Sequence, residues 1–330
     1  MHDIDTNATI IESSFDISDE LLINSGNIIE ATHEPSHHKA STVDFEALQP
    51  KFGWLPVDVI HSIFDNTTQF HRTPASSQPK KTFRSLHPAC NVQHRQEPLA
   101  TDMVHSDTPA IDDGSKVAQT FVGTESCVID VCSMKTESQF VNTLQDIICS
   151  CGAPTKLISD SAQTEIGNET KDILCHLCIE DWQSEACHQH QNPCERCHQD
   201  MKSISNWLLD HTNSPPSLWL LALKCTAFLL NHTSSSQLDG KVPLQILTGV
   251  TQDISALLHF HWCEKVCHCV DESSFPSETA EACGHFVGFL DNVGHALTFA
   301  ILTKDTNKII CRSEVCTAEE TNHPNIRRND

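Results

Sequence analysis

Three acidic residues stand where a strand or a helix start would hold them. Asp102 lies in Pro98-Leu99-Ala100-Thr101-Asp102-Met103-Val104-His105, Asp160 follows Lys156-Leu157-Ile158-Ser159, and Glu195 lies in Gln191-Asn192-Pro193-Cys194-Glu195-Arg196. Hard divalent cations such as Mg²⁺ take oxygen ligands, and carboxylates brought together from separate elements can hold two of them about 3.5 to 4 Å apart. One such ion activates an attacking oxygen and the other stabilises a leaving oxygen, which is phosphoryl-transfer chemistry. Asp107 is a rival to Asp102 for the first position.

Glu195 also has a plainer reading. Asn192 is a good N-cap, Pro193 suits the first helical position, and a Glu at the third position is close to a capping box, which needs no metal. Taken alone, Glu195 reads first as a cap; the two upstream acids bring the metal reading forward.

A second metal pattern overlaps the first. Cys175-His176-Leu177-Cys178 and Cys194-Glu195-Arg196-Cys197 are two CxxC pairs with 15 residues between them, the spacing of a four-thiolate zinc site. Against it, Ile173, Leu174, Leu177 and Ile179 form a helical pattern that sets Cys175 and Cys178 in or beside a core face. The zinc reading of Cys175, Cys178, Cys194 and Cys197 stays as the alternative.

Hydrophobic periodicity supplies the elements that must position these residues. Strands are expected near 98–105, 117–122, 127–132 and 156–159, with helices near 137–150, 165–178 and 193–211. A helix from Ser217 to Leu230 and a short element from Val242 to Gly249 follow. This is an α/β arrangement, a mixed sheet flanked by helices over residues 98–250. After Asp253 short β-like runs separated by turn residues predict a small, mostly-β C-terminal domain over 251–316, with 317–330 as a tail. Upstream, Val59, Ile60, Ile63 and Phe64 mark a short helix within 51–97, whose remainder is a linker carrying Lys80-Lys81-Thr82-Phe83-Arg84. Residues 1–50 hold ten acids against Lys39 alone and read as a mostly disordered acidic leader.

Composition bounds the partners. The chain of 330 residues is 38% hydrophobic, enough for a core, and carries a net charge of −23, which weighs against phosphate-rich partners. Seventeen cysteines without a secretory leader read as thiols or metal ligands in an intracellular, non-secreted protein. The apolar run from Leu218 to Leu230 is interrupted by Lys224 and too short for a bilayer, so no membrane segment is expected. No G-x-S-x-G, P-loop or G-x-G-x-x-G occurs, so serine-hydrolase, nucleotide-hydrolase and dinucleotide readings have no support.

The order of these motifs resembles the integrase region of copia-type LTR retrotransposon polyproteins. Thr101-Asp102 before Asp107-Thr108-Pro109 looks like that family's first aspartate strand, Leu157-Ile158-Ser159-Asp160 like the second, and Gln191-Asn192-Pro193-Cys194-Glu195-Arg196 like its Q-N-G-x-x-E-R motif one residue shorter. Trp219 to His232, Pro243 to Gly249, Gly284 to Phe289 and Lys308 to Val315 resemble the family's later segments, so the likeness covers roughly residues 50–316.

The resemblance implies a ribonuclease-H-like core in which Asp102, Asp160 and Glu195 hold Mg²⁺ or Mn²⁺. Gln191, Asn192, Arg196 and Lys202 would lie on the DNA side. The implied activity is polynucleotidyl transfer, with DNA ends and target DNA as partners, a homo-oligomer when active, and a nuclear or cytoplasmic-particle location. Its departures are specific: Pro193 replaces the glycine, Cys187, Cys197 and His198 stand where basic or aromatic residues would line a DNA groove, and no HHCC module is recognisable before residue 97. Those departures keep open a catalytically inactive remnant or interaction module. The whole reads as a piece of a polyprotein.

Overall fold

The computed structural model describes residues 43–69, 86–159, 167–183, 194–270, 281–290, 298–304 and 306–318. Residues 1–42 of the acidic leader expected over 1–50, the basic cluster Lys80 to Arg84, and the expected site residues Asp160, Gln191 and Asn192 lie outside them, whereas the leader's end, 43–50, is described and carries a helix. From Asp44 onward the chain forms one compact unit.

That unit opens with a short helix α1 (Phe45–Leu48), whose N-cap Asp44 accepts from the Glu46 and Ala47 amides, then a 3₁₀ turn and helix α2 (Val57–Asn66). Gly53 joins them at φ +64°, and an added Cβ would come within 3.1 Å of Leu229 Cδ1, so both its backbone and its lack of a side chain are used.

The central sheet is built from β1 (Leu99–His105), β2 (Val117–Gly123), β3 (Ile129–Met134), β4 (Lys156–Ser159) and β5 (Glu180–Gln183), in the order β3-β2-β1-β4-β5. β1 runs antiparallel to β2 and parallel to β4, pairing Leu99 with Leu157 and Ala100 with Ile158. The order and directions are those of a ribonuclease-H-like sheet. Helices α3 (Phe140–Cys151) and α4 (Asn168–His176) cover one face, where Leu99, Phe121, Phe140, Leu144 and Leu157 are buried together. Helices α5 (Cys194–His211) and α6 (Trp219–Asn231) cover the other, where Ala100, Ala118 and Ala227 leave room for them to approach Val122, Met201 and Leu223. Alternate residues of β1 and β2 thus serve two cores, and all seven residues of β2 are buried.

Two sequence expectations shift. β3 starts at Ile129, two residues later than expected, because the turn after Gly123 extends to Val128, with Cys127 in the left-handed region at φ +59°. β5 has no counterpart among the expected strands. Its Glu-Asp-Trp-Gln sequence is exposed throughout and has no apolar alternation; pairing with β4, aided by a 3.0 Å Lys156–Glu180 ion pair, makes it a strand.

After α7 (Pro243–Thr248), strands β6 (Lys265–Cys269), β7 (Glu281–Leu290), β8 (Thr298–Thr303), β9 (Ile309–Arg312) and β10 (Val315–Thr317) form an antiparallel sheet ordered β10-β6-β7-β8-β9. Phe260, Phe286 and Phe299 cluster with Val266 and Ile301. Val287, Ala300 and Leu302 instead join Phe52, Ile60, Leu208 and Leu229 in a core shared with the helices. No helix among the described residues is long and apolar enough to cross a membrane.

Candidate carboxylate site on the central sheet

Asp102 sits mid-way along β1, opposite Thr120 of β2. Its side chain is about one-third exposed. Oδ1 accepts the Met103 amide at 2.8 Å, and Oδ2 lies 3.1 Å from His198 Nδ1 on α5. The other ring nitrogen of His198, Nε2, contacts Thr120 Oγ1, and that hydroxyl donates to the Asp102 main-chain oxygen at 2.9 Å. His198 is buried, so one imidazole ties α5 to both central strands.

Burial alone would raise the Asp102 carboxyl. The hydrogen bond and charge of His198, the Met103 amide and the charge of Lys202 outweigh it and hold the group below the ordinary aspartate range. Glu195, His198 and Lys202 are spaced i, i+3, i+7, which sets them along one stripe of α5. Glu195 is partly exposed on the first turn. Asp107 lies beyond the end of β1 and is exposed, whereas Asp102 is inside the strand.

Arg196 points elsewhere. With its oxygen turned toward α5, the Gln237 amide accepts from Arg196 Nε at 3.2 Å and Nη1 at 3.3 Å. The two residues wall a cleft of about 720 Å³ together with Asp58, Thr124, Cys127 and Asp200, and neither Asp102, Glu195 nor Lys202 lines it. Arg196 and Lys202, both expected on a DNA side, therefore serve different surfaces.

The four cysteines of the zinc pattern do not assemble. Cys175 and Cys178 are exposed at and just past the end of α4, contrary to the core-face placement the helical pattern implied, because α4 stops at His176 and Cys178 turns into the left-handed region at φ +57°. Cys194 is fully buried between sheet and helices, and burial pushes the Cys197 thiol up to about 12. Among the described residues no three His, Cys, Asp or Glu side chains gather as a metal group.

The acid–imidazole–hydroxyl order of Asp102, His198 and Thr120 is also that of a hydrolytic triad. Thr120 is completely buried, and its hydroxyl already donates to Asp102, so no substrate carbonyl can reach it. For a hard cation, Asp102 and Glu195 are the right donor type, and the His198 contact competes with a cation for Asp102 Oδ2. The sequence carried a signal for His198, one helical turn after Glu195. Its partner Thr120 lies 78 positions away and carried none.

No protein-family model matches the chain, and no curated protein matches it in sequence. Among solved structures, the chain is similar to the HTLV-2 integrase catalytic core domain in complex with magnesium, at 18% identity and a TM-score of 0.37, covering 47% of this chain and 97% of that one. It is likewise similar to the simian T-cell lymphotropic virus intasome in complex with PP2A regulatory subunit B56 gamma, at 14% identity and 0.38, covering 68% and 81%. The BIV integrase catalytic core matches at 18% and 0.37, covering 47% and 95%.

Proposed function

We propose that the chain is an integrase-like polynucleotidyl transferase core of copia-type retrotransposon descent, acting on DNA ends and target DNA. The observation that carries this reading is Asp102 on the central strand of a β3-β2-β1-β4-β5 sheet, contacted by His198 of α5 and within the field of Lys202 on the same helix. Asp102, Asp160 and Glu195 would hold a pair of Mg²⁺ or Mn²⁺ ions. Such ions, when bound, activate the attacking oxygen and neutralise charge on the leaving one. Asp160 follows Ser159, the last residue of β4, and β4 is the parallel neighbour of β1.

The chain's own groups have separate tasks in this reading. Asp102 stays ionised to low pH, which keeps it a ligand, and Met103 and His198 fix the direction of its two oxygens. Lys202 supplies the positive charge that draws a phosphate toward the carboxylates. His198 competes with a cation for Oδ2.

That competition favours a second reading, a catalytically silent ribonuclease-H-like module in which Asp102 serves only the His198 contact. The net charge of −23 points the same way, since DNA affinity depends on phosphate neutralisation. Strand transfer by the full chain on labelled DNA with Mn²⁺, beside Glu195→Gln and Asp160→Asn, decides between them. Activity abolished in both variants supports the transferase; no activity in the unaltered protein supports the silent module.

A further inference from the structure

In the C-terminal sheet, Cys267 of β6 stands directly opposite Cys283 of β7, and their sulfur atoms are 3.5 Å apart. Residues directly opposite in an antiparallel pair have Cα atoms about 4.5 to 5.5 Å apart and side chains on the same face. That lies inside the Cα range that a disulfide tolerates, about 4.4 to 6.8 Å. We propose that Cys267 and Cys283 are an oxidisable cross-strand dithiol, a modification site that staples β6 to β7.

The proposal commits to one pair among several candidates. Cys316 of β10 is the register partner of Cys267 on its other side, but its sulfur is directed at the Cys267 carbonyl oxygen, at 3.8 Å. Cys269 shares a strand with Cys267 and faces Glu281 across the ladder. Cys283 meets Cys267 sulfur to sulfur, at 3.5 Å.

Exposure sets the order of events. Cys267 is 1% exposed and Cys283 is half-buried, so a small oxidant reaches Cys283 first. With hydrogen peroxide, the Cys283 sulfur attacks the O–O bond and becomes a sulfenic acid, releasing one water. The Cys267 sulfur then attacks that sulfur, the S–S bond forms, and the hydroxyl leaves as a second water with the Cys267 proton. Two thiols are oxidised by two electrons and one peroxide is reduced to two waters.

Peptide mapping of the full chain tests this. After brief peroxide treatment and blocking of the remaining thiols with N-ethylmaleimide, the protein is cut after Glu without reductant. Glu272, Glu278 and Glu281 lie between the two cysteines, so their fragments stay together only through a bond across the strands. We expect a linked pair two hydrogens lighter than the separate fragments, released by reductant, retained in Cys269→Ser and lost in Cys283→Ala. Separate fragments carrying maleimide or sulfinic acid, or a bond from Cys267 to Cys269 or Cys316, overturn the assignment. In the unaltered protein, fragment-ion sequencing of the linked pair, with maleimide found on Cys269 and Cys311, decides even where a variant fails to fold.

Discussion

Glu97 and Asp102 stand five residues apart around the start of β1, and against the upward push of burial the Ser126 hydrogen bonds with the Arg95 charge hold Glu97, and His198 holds Asp102, below the ordinary carboxylate range. They are enclosed differently. Glu97 is 4% exposed and gathers the Arg95 guanidinium, the Ser126 hydroxyl at 2.8 Å and the Glu125 and Ser126 amides, closing the turn between β2 and β3. Gly123 lies so close that an added Cβ would meet Ser126 Oγ, Arg95 Nη2 and Glu97 Oε1 at 2.5 to 2.7 Å. Asp102 has one imidazole and one amide, and a third of its side chain reaches solvent. The comparison separates a carboxylate spent entirely on folding from one that keeps a face for a ligand.

The largest expected effect tests the closed cluster. Glu97→Ala leaves the Arg95 charge buried without its main partner and should cost about 3 to 5 kcal/mol in urea unfolding. A cost near that of a surface change would erase the distinction between the two acids. His198→Ala comes next, at about 1 to 3 kcal/mol, since it strips a buried partner from Thr120 and from Asp102. It should also tighten Mn²⁺ binding by calorimetry, because the competing contact to Oδ2 is gone; unchanged Mn²⁺ binding would break the idea that His198 competes for the site.

Asp102→Asn should be milder, about 1 kcal/mol or less, because solvent screens a partly exposed group. The pH dependence sharpens the same contrast. Both carboxyls have depressed folded values, so their stabilisation is full above the ordinary 4.5 of Glu and 3.8 of Asp and is lost as pH falls through the lower folded values. Acid unfolding monitored by circular dichroism should therefore flatten more in Glu97→Gln than in Asp102→Asn. The smallest effect concerns thiols. Burial pushes Cys132, Cys197 and Cys225 up to about 12, so at pH 8 they should resist iodoacetamide while exposed Cys90, Cys149, Cys175 and Cys178 react, as read by mass spectrometry.

Much of this architecture was legible because its signals are local. The short apolar-rich runs of Leu99–His105 and Val117–Gly123, and the helical spacing of Phe140, Leu144, Ile147 and Ile148, are properties of neighbouring residues. The polar Glu180–Gln183 strand was not legible, since only its partner β4 makes it one. Neither was the Arg95–Glu97–Ser126 cluster, whose residues sit in loops that carry no period.

The amino-acid sequence by itself determined the periodic elements, the seating of Asp102 within a strand and of Glu195 on a helix's first turn, because backbone geometry repeats at two or 3.6 residues. Only the tertiary structure decided that His198 claims Asp102, that Arg196 turns to Gln237, that the CxxC pairs stay apart and that Cys267 meets Cys283. Each of those outcomes depends on which elements become neighbours. Strand order and helix crossing settle that, and no local repeat encodes it.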